Sequence, residues 1–233
     1  AGRREAFMGF HNPSLSMPFA VIFDMDGVLL DSAPVLWSAY KDLVRQNGGV
    51  LSDEDLPSYR GISWMDMVAR FNREFNMEMT FDDFSAYLIS REKEAFAPEA
   101  YVMPCLLHFL KDLKAHRIPM AVGTSSEYDR AVELLDGTNI RDYFDAIASA
   151  SDVKYHKPAP DIFLAAAQRL NVNPKTCIVI EDGSSGIEAA HRAGMKAIGY
   201  AQDSDNRKAL SKADLLVGHF SELSYEKLSA LLR

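Results

Sequence analysis

Phe19-Ala20-Val21-Ile22-Phe23-Asp24-Met25-Asp26-Gly27 is the stretch that decides the fold. Five apolar residues run without interruption and stop at a carboxylate. An unbroken apolar run of this length suits a strand covered on both faces, as inside a parallel sheet. The pattern recurs at Pro119-Met120-Ala121-Val122, which stops at Gly123-Thr124-Ser125. It recurs again at Cys177-Ile178-Val179-Ile180, which stops at Glu181-Asp182-Gly183, and at Ala197-Ile198-Gly199-Tyr200. Helical patterns such as Leu106 to His116 and Ile162 to Leu170 lie between these runs. Strands alternating with helices predict an α/β fold with a doubly wound parallel sheet. Ligands bind outside the carboxyl ends of the strands in such sheets, and the polar clusters of this chain fall there.

One stretch breaks the alternation. Between Pro34 and about Met103 there is helix periodicity and no strand pattern. Val35, Leu36, Ala39, Tyr40, Leu43 and Val44 make one amphipathic face. Met65, Val68, Ala69 and Phe71 make a second, and Phe84, Tyr87, Leu88 and Ile89 a third. The chain therefore divides into an N-terminal extension (1–18), a sheet-bearing core (19–33 and 104–233) and an inserted all-helical unit (34–103). Inserted directly after the first strand's polar loop, that unit would sit over the active edge of the sheet as a lid.

The chain has 233 residues, 48% of them hydrophobic, enough for one good core plus a smaller companion. A net charge of −8 without any basic run argues against nucleic-acid and anionic-membrane partners. No apolar run approaches the length of a membrane span. The two cysteines, Cys105 and Cys177, both sit beside apolar residues and read as buried core thiols of a cytoplasmic protein. The first eighteen residues lack an apolar signal core.

If the first strand persists through Asp26, its period of two puts the Asp24 and Asp26 carboxylates on one side and turns Met25 away. Gly27 then permits a sharp turn. A plain strand-to-turn transition would use the same residue types. A calcium loop would not, because its glycine stands sixth and its glutamate twelfth. Glu181-Asp182-Gly183-Ser184-Ser185-Gly186 closes another strand, although acidic and serine residues also cap helices. Together, Asp24, Asp26, Glu181 and Asp182 would gather four carboxylates at neighbouring strand ends. Such crowding raises their pKa values unless a cation joins them, and hard oxygen ligands suit Mg2+. Thr124, Ser125 and Ser126 offer hydroxyls and amides for an anion, or simply cap a helix. Lys157 is fixed by Pro158 and Pro160 before a helix start, whereas an unconstrained lysine would be a solvated surface residue.

Asp24-Met25-Asp26-Gly27-Val28 with Asp31-Ser32, then Thr124-Ser125, Lys157-Pro158-Ala159-Pro160-Asp161-Ile162-Phe163, and Glu181-Asp182 with Gly186 resemble the haloacid dehalogenase superfamily. More narrowly, they resemble its β-phosphoglucomutase-like branch. The resemblance runs from about Phe19 to the C-terminus. It implies a Rossmann-like core with an inserted helical cap and Mg2+-dependent hydrolysis of a small phosphorylated metabolite through an aspartyl phosphate. It further implies that Asp24 is the nucleophile and Asp26 the general acid and base. Thr124, Ser125, Gly27 and Lys157 would bind phosphate. Asp182, assisted by Glu181, would hold Mg2+ with Asp24 and the Asp26 carbonyl. A protonated Asp26 would leave three carboxylates facing three positive charges, those of Mg2+ and Lys157. The expected assembly is a monomer or weak homodimer.

Two departures separate phosphatase from mutase. β-Phosphoglucomutases have a histidine where this chain has Leu36, and a cap arginine where Trp64 follows Gly61-Ile62-Ser63. Arg60 is the candidate substitute for that arginine. The expected activity is that of a phosphatase acting on a sugar phosphate or similar ester. The alternatives are a β-phosphoglucomutase-like sugar phosphomutase and a non-catalytic phosphate-binding module. His156 reads as an exposed loop residue, and Phe71 as core of the helical unit. Trp64 and Tyr59 fit either that core or the substrate surface. Cys105 stands where relatives usually have glycine.

Overall fold

The computed structural model describes residues 19–59 and 62–233; the extension expected over residues 1–18 lies outside them. Strands β1 (Ala20–Phe23), β2 (Met120–Gly123), β3 (Ala146–Ala148), β4 (Cys177–Glu181), β5 (Lys196–Tyr200) and β6 (Leu215–Val217) form one sheet. All pairings are parallel, in the order β3-β2-β1-β4-β5-β6. This is the expected Rossmann-like α/β fold. The sequence reading missed β3 and β6, three-residue strands at the two edges, because so short a run carries no periodicity.

Both sheet faces are buried, which explains the unbroken apolar runs. Alternate residues serve opposite faces. Val21, Phe23, Met120, Val122, Ile178 and Ile180 join one apolar cluster, and Ala20, Ile22, Ala121, Cys177 and Val179 another. Between β1 and β2 come helices α1 (Ala33–Gln46), α2 (Trp64–Glu74), α3 (Phe81–Ala95), α4 (Pro98–Tyr101) and α5 (Leu106–Ala115). The later helices are α6 (Tyr128–Gly137), α7 (Asp161–Arg169), α8 (Ser184–Arg192), α9 (Ser204–Ala209) and α10 (Tyr225–Leu231). Residues of α5, α6 and α10 fill the first cluster, and those of α7 and α8 the second.

Helices α1, α2 and α3 enclose a third cluster of their own around Phe71. Ser63 and Thr80 cap α2 and α3 by accepting the amides of Asp66 and Asp83. On α2 the buried stripe is Met67, Val68 and Phe71, whereas Met65, expected inside, is half-exposed and Ala69 is exposed. The Ser63 cap fixes where the helix begins, and its phase turns those two positions to water. Cys105 is another correction, since it is exposed while Cys177 is buried. Its φ of 62° lies in the left-handed region, where glycine is the unstrained residue. Among the described residues, no helix is long and apolar enough to cross a membrane.

The Phe71 ring lies within 5.6–5.9 Å of Tyr40, Tyr59, Phe75 and Phe84 and is fully buried. Truncation would leave a cavity walled by aromatic rings that cannot collapse without losing each other. Phe71→Ala is therefore expected to cost about 3–5 kcal/mol, read from urea denaturation followed by circular dichroism.

Candidate active site

The sheet order reverses at β1: β2 lies on one side of it and β4 on the other. Connections leaving β1 and β4 therefore diverge and open a crevice at their carboxyl ends. Asp24 follows β1, Glu181 ends β4, and the Asp24 amide donates to the Ile180 carbonyl at 3.0 Å, which sets the carboxylates side by side. Into this crevice the loop before α7 sends Lys157. Its Nζ donates to Asp24 Oδ1 at 2.6 Å, to Glu181 Oε1 at 2.7 Å and to the Gly123 carbonyl at 3.3 Å. His156 beside it is exposed.

Burial works against the Lys157 charge, but Asp24 and Glu181 outweigh it and hold the pKa above its usual value. Burial pushes Asp24 up to about 7 against the pull of Lys157, with the Glu181 charge adding to the rise. Asp182 is raised well above the carboxylate range by burial and then by Glu181 and Asp24. Burial is the first cause of both rises, and the neighbouring carboxylates add to it. Asp24, Glu181 and Asp182 each turn a ligand atom to within 4.8 Å of the others. Three hard oxygen donors beside one ammonium fit a small divalent cation such as Mg2+.

Two glycines make that cluster possible. A Cβ on Gly27, whose φ is +83°, would lie 2.1 Å from Asp182 Oδ2. One on Gly186 would lie 1.9 Å from Glu181 Oε1. Gly27 also lines the cavity above, but its tightest constraint is room for Asp182 rather than a phosphate contact.

Asp26 departs from expectation. The strand ends at Phe23, and the chain turns at once, with the Leu29 and Leu30 amides on the Met25 carbonyl. Met25 is fully buried, and the Asp26 carboxylate goes to partners different from those of Asp24. Its Oδ1 accepts from Ser32 Oγ (2.6 Å) and Arg130 Nη2 (2.8 Å). Its Oδ2 accepts from Ser126 Oγ (2.9 Å) and Arg130 Nη1 (2.7 Å). Burial opposes the charge, yet Arg130 and the two hydroxyls hold Asp26 down at about 2. The expected gathering of four carboxylates is thus one of three, and in this arrangement Asp26 is neutralised by a guanidinium instead of a proton.

A cavity of about 170 Å3 lies between these strand ends and the helical unit. Asp24, Asp26, Thr124, Ser125, Lys157, Glu181 and Asp182 are among the residues lining its floor, and Leu36, Trp37, Tyr40, Tyr59, Trp64 and Met67 among those lining it from the helical unit. Thr124 Oγ1 accepts the Ser126 amide at 3.1 Å. Arg60 lies outside the described residues. Sequence reasoning overlooked Arg130 and Glu92, both buried. The signal for Glu92 was its place four residues after Leu88 and eight after Phe84, on the buried stripe of α3. Arg130 sits likewise beside Ala131 on the buried face of α6.

A family model described as haloacid dehalogenase-like hydrolase matches residues 21–200. The chain is 37% identical to a fructose-1-phosphate phosphatase of Escherichia coli over 76% of this chain and 94% of that one. It is 32% identical to a β-phosphoglucomutase of Bacillus subtilis over 90% and 93% of the two chains. A crystal structure of β-phosphoglucomutase from Clostridium difficile superposes with a TM-score of 0.79 at 30% identity, covering 93% of this chain and 97% of that one.

Because Gly27 packs against the Asp182 carboxylate, Gly27→Ala is expected to weaken Mg2+ binding by about 10–100-fold, the usual effect of disturbing a ligand's orientation. Calorimetric titration with Mg2+ checks it, with circular dichroism showing an unchanged fold.

Proposed function

The chain belongs to the haloacid dehalogenase-like hydrolase family, in its β-phosphoglucomutase-like branch, and from that premise we propose a Mg2+-dependent phosphatase that forms an aspartyl phosphate on Asp24. It is a phosphoric monoester hydrolase by kinship, and its substrate in this reading is a sugar phosphate or a similarly small ester. Residues 34–103 serve as a helical cap on the core formed by 19–33 and 104–233. Two observations support the cap. The helices carry their own apolar cluster, and their two connections to the core run side by side, with Asp31 N on the Tyr101 carbonyl (2.8 Å) and Met103 N on the Leu29 carbonyl (3.0 Å).

The observation that carries the phosphatase reading is the lining of the cavity. Leu36 and Trp64, where the resemblance to mutases calls for histidine and arginine, both face it. Lys157 is the only lysine or arginine among its described lining residues. A phosphomutase must hold a second phosphate there and keep water from its covalent intermediate. Among the described residues, an apolar roof over a single cationic site suits one phosphate and a small leaving group. An apolar cavity of about 150 Å3 takes a benzene-sized guest, so one of about 170 Å3 has room for a single sugar-sized ring.

In the first step an Asp24 carboxylate oxygen attacks phosphorus, the bond to the ester oxygen breaks, and Asp26 gives that oxygen its proton. In the second, water attacks the aspartyl phosphate, Asp26 takes a proton from it, and inorganic phosphate leaves with Asp24 restored. A phosphate dianion arriving beside Asp26 raises its pKa by like charge and so prepares it to carry the proton. Lys157 orients Asp24 and neutralises phosphoryl oxygens, while Thr124 and Ser125 offer hydroxyls to the same group. Asp24, Asp182 and the Asp26 carbonyl, with Glu181 assisting, would hold Mg2+, which would supply the remaining positive charge against the phosphoryl oxygens. A cytoplasmic setting belongs to the same proposal, since Cys105 and Cys177 are both free thiols.

Asp24→Asn is expected to abolish turnover of p-nitrophenyl phosphate with the fold intact, and chelation with EDTA to silence the enzyme until Mg2+ is restored. Retained activity in the variant would remove Asp24 as nucleophile. A panel of fructose 1-phosphate, glucose 6-phosphate and hexitol phosphates should yield steady release of inorganic phosphate. With β-glucose 1-phosphate and a bisphosphate primer, little glucose 6-phosphate should form. Its formation well ahead of free phosphate would assign the chain to the mutases.

A further inference from the structure

Arg130 is a cation buried at the junction of core and helical unit, and none of the steps above uses it. Its side chain is 3% exposed, as is that of Glu92 on α3. All five of its N–H donors are engaged. Nε and Nη2 reach Glu92 at 2.8 and 2.7 Å, and Nη1 and Nη2 reach Asp26 at 2.7 and 2.8 Å. The remaining donor of Nη1 goes to Ser126 Oγ at 2.5 Å. Tyr101 Oη donates to Glu92 Oε1 at 2.7 Å, and the Trp64 ring covers the guanidinium at 4.7 Å. No donor is left over for a ligand, so Arg130 is not a substrate-binding residue in this arrangement.

Its chemistry lies in the planar fork. A guanidinium bound through two parallel bonds fixes the plane of a carboxylate, which a single hydroxyl cannot do. The Asp26 carboxylate accepts four hydrogen bonds, two from Arg130 and one each from Ser32 and Ser126. The two hydroxyls can rotate away and free a lone pair towards the cavity; the fork cannot. The fork itself is held from behind, because Glu92 grips its other edge from the buried stripe of α3. We infer that Arg130 is the positioning residue for the Asp26 carboxylate, with Glu92 as the anchor that fixes Arg130 from the helical unit. Asp26 and α3 then share one rigid support, and any displacement of α3 is passed to the group that moves the proton.

The inference rests on the phosphatase reading, and the test separates the two. The probes are p-nitrophenyl phosphate, whose leaving oxygen departs without needing a proton, and the sugar phosphate hydrolysed fastest in the panel above, whose alkoxide needs one. General acid catalysis contributes typically about 10²–10⁴-fold, and kcat/KM covers only the steps up to release of the leaving group, so misplacing the acid should weigh on kcat/KM of the sugar phosphate, whereas the later water attack slows alike for both esters. Arg130→Met is expected to lower kcat/KM for the sugar phosphate about tenfold more than for the aryl ester. Arg130→Lys should recover part of that ratio. Glu92→Gln, which keeps the fork on Asp26, should lose less of it than Arg130→Met. Combined with Asp26→Asn, Arg130→Met should lower the ratio no further than Asp26→Asn alone, because both act through one group. Equal losses of kcat/KM on the two esters, or an additive loss in the double variant, overturn the inference and leave Arg130 a structural ion pair. Should Arg130→Met fail to fold, the ratio in Arg130→Lys and Glu92→Gln decides in the same sense. A wild-type protein that hydrolyses neither ester would remove the phosphatase reading and this inference with it.

Discussion

A single buried ammonium between two carboxylates, Lys157 at 2.6 Å from Asp24 and 2.7 Å from Glu181, is the contact around which the carboxyl ends of the central strands are organised. Removing any one of the three from water alone would cost several kcal/mol; paired, each meets part of the other's loss of hydration. The balance is still incomplete. Among the described residues Asp182 joins the same cluster with no second cation beside it, and burial, with the neighbouring carboxylates adding to it, raises the pKa values of Asp24 and Asp182. A site poised in this way gains free energy by accepting a divalent cation, which is how a charge imbalance in the fold becomes affinity for a metal.

The deficit is sustained by packing. Asp182 and Glu181 can crowd Asp24 only because Gly27 and Gly186 leave their Cβ positions empty, and Lys157 reaches the crevice over the ring of Phe163 at 4.9 Å. The crevice exists because β1 lies between β2 and β4, so that the connections leaving β1 and β4 run in opposite directions. Sheet order, two missing side chains and one lysine thus form a causal chain from topology to electrostatics. A second ionic group, Asp26 with Arg130 and Glu92, lies on the side facing the helices and ties the core to them. The two groups divide the labour by geometry, one crowded with negative charge and one saturated with hydrogen bonds.

Much of this was legible in the residues themselves. Four of six strands could be read from uninterrupted apolar runs, because burial on both faces leaves no other composition. The polar groups at their ends could be read because a strand's carboxyl end is where such a sheet accepts ligands. The three-residue edge strands could not, and neither could the phase of α2, which depends on the Ser63 cap as much as on its apolar residues. Cys105 looked like a core thiol from its neighbours, but its left-handed backbone turns it outward.

The residues alone determined the fold class, the strand-free insertion and which carboxylates and lysine end up at the carboxyl ends of the central strands, since these follow from local periodicity and from where each apolar run stops. Only the tertiary structure decided the partner of Asp26. Period-two geometry predicts that it shares a side with Asp24, yet the strand ends one residue before Asp24 and the turn hands Asp26 to Arg130, 104 positions away in the chain. Nor does sequence spacing disclose that Glu92 completes that arrangement from a third element. Hydrogen bonds between residues so far apart are set by how whole helices dock, and docking is a property of packed faces, which no local pattern encodes.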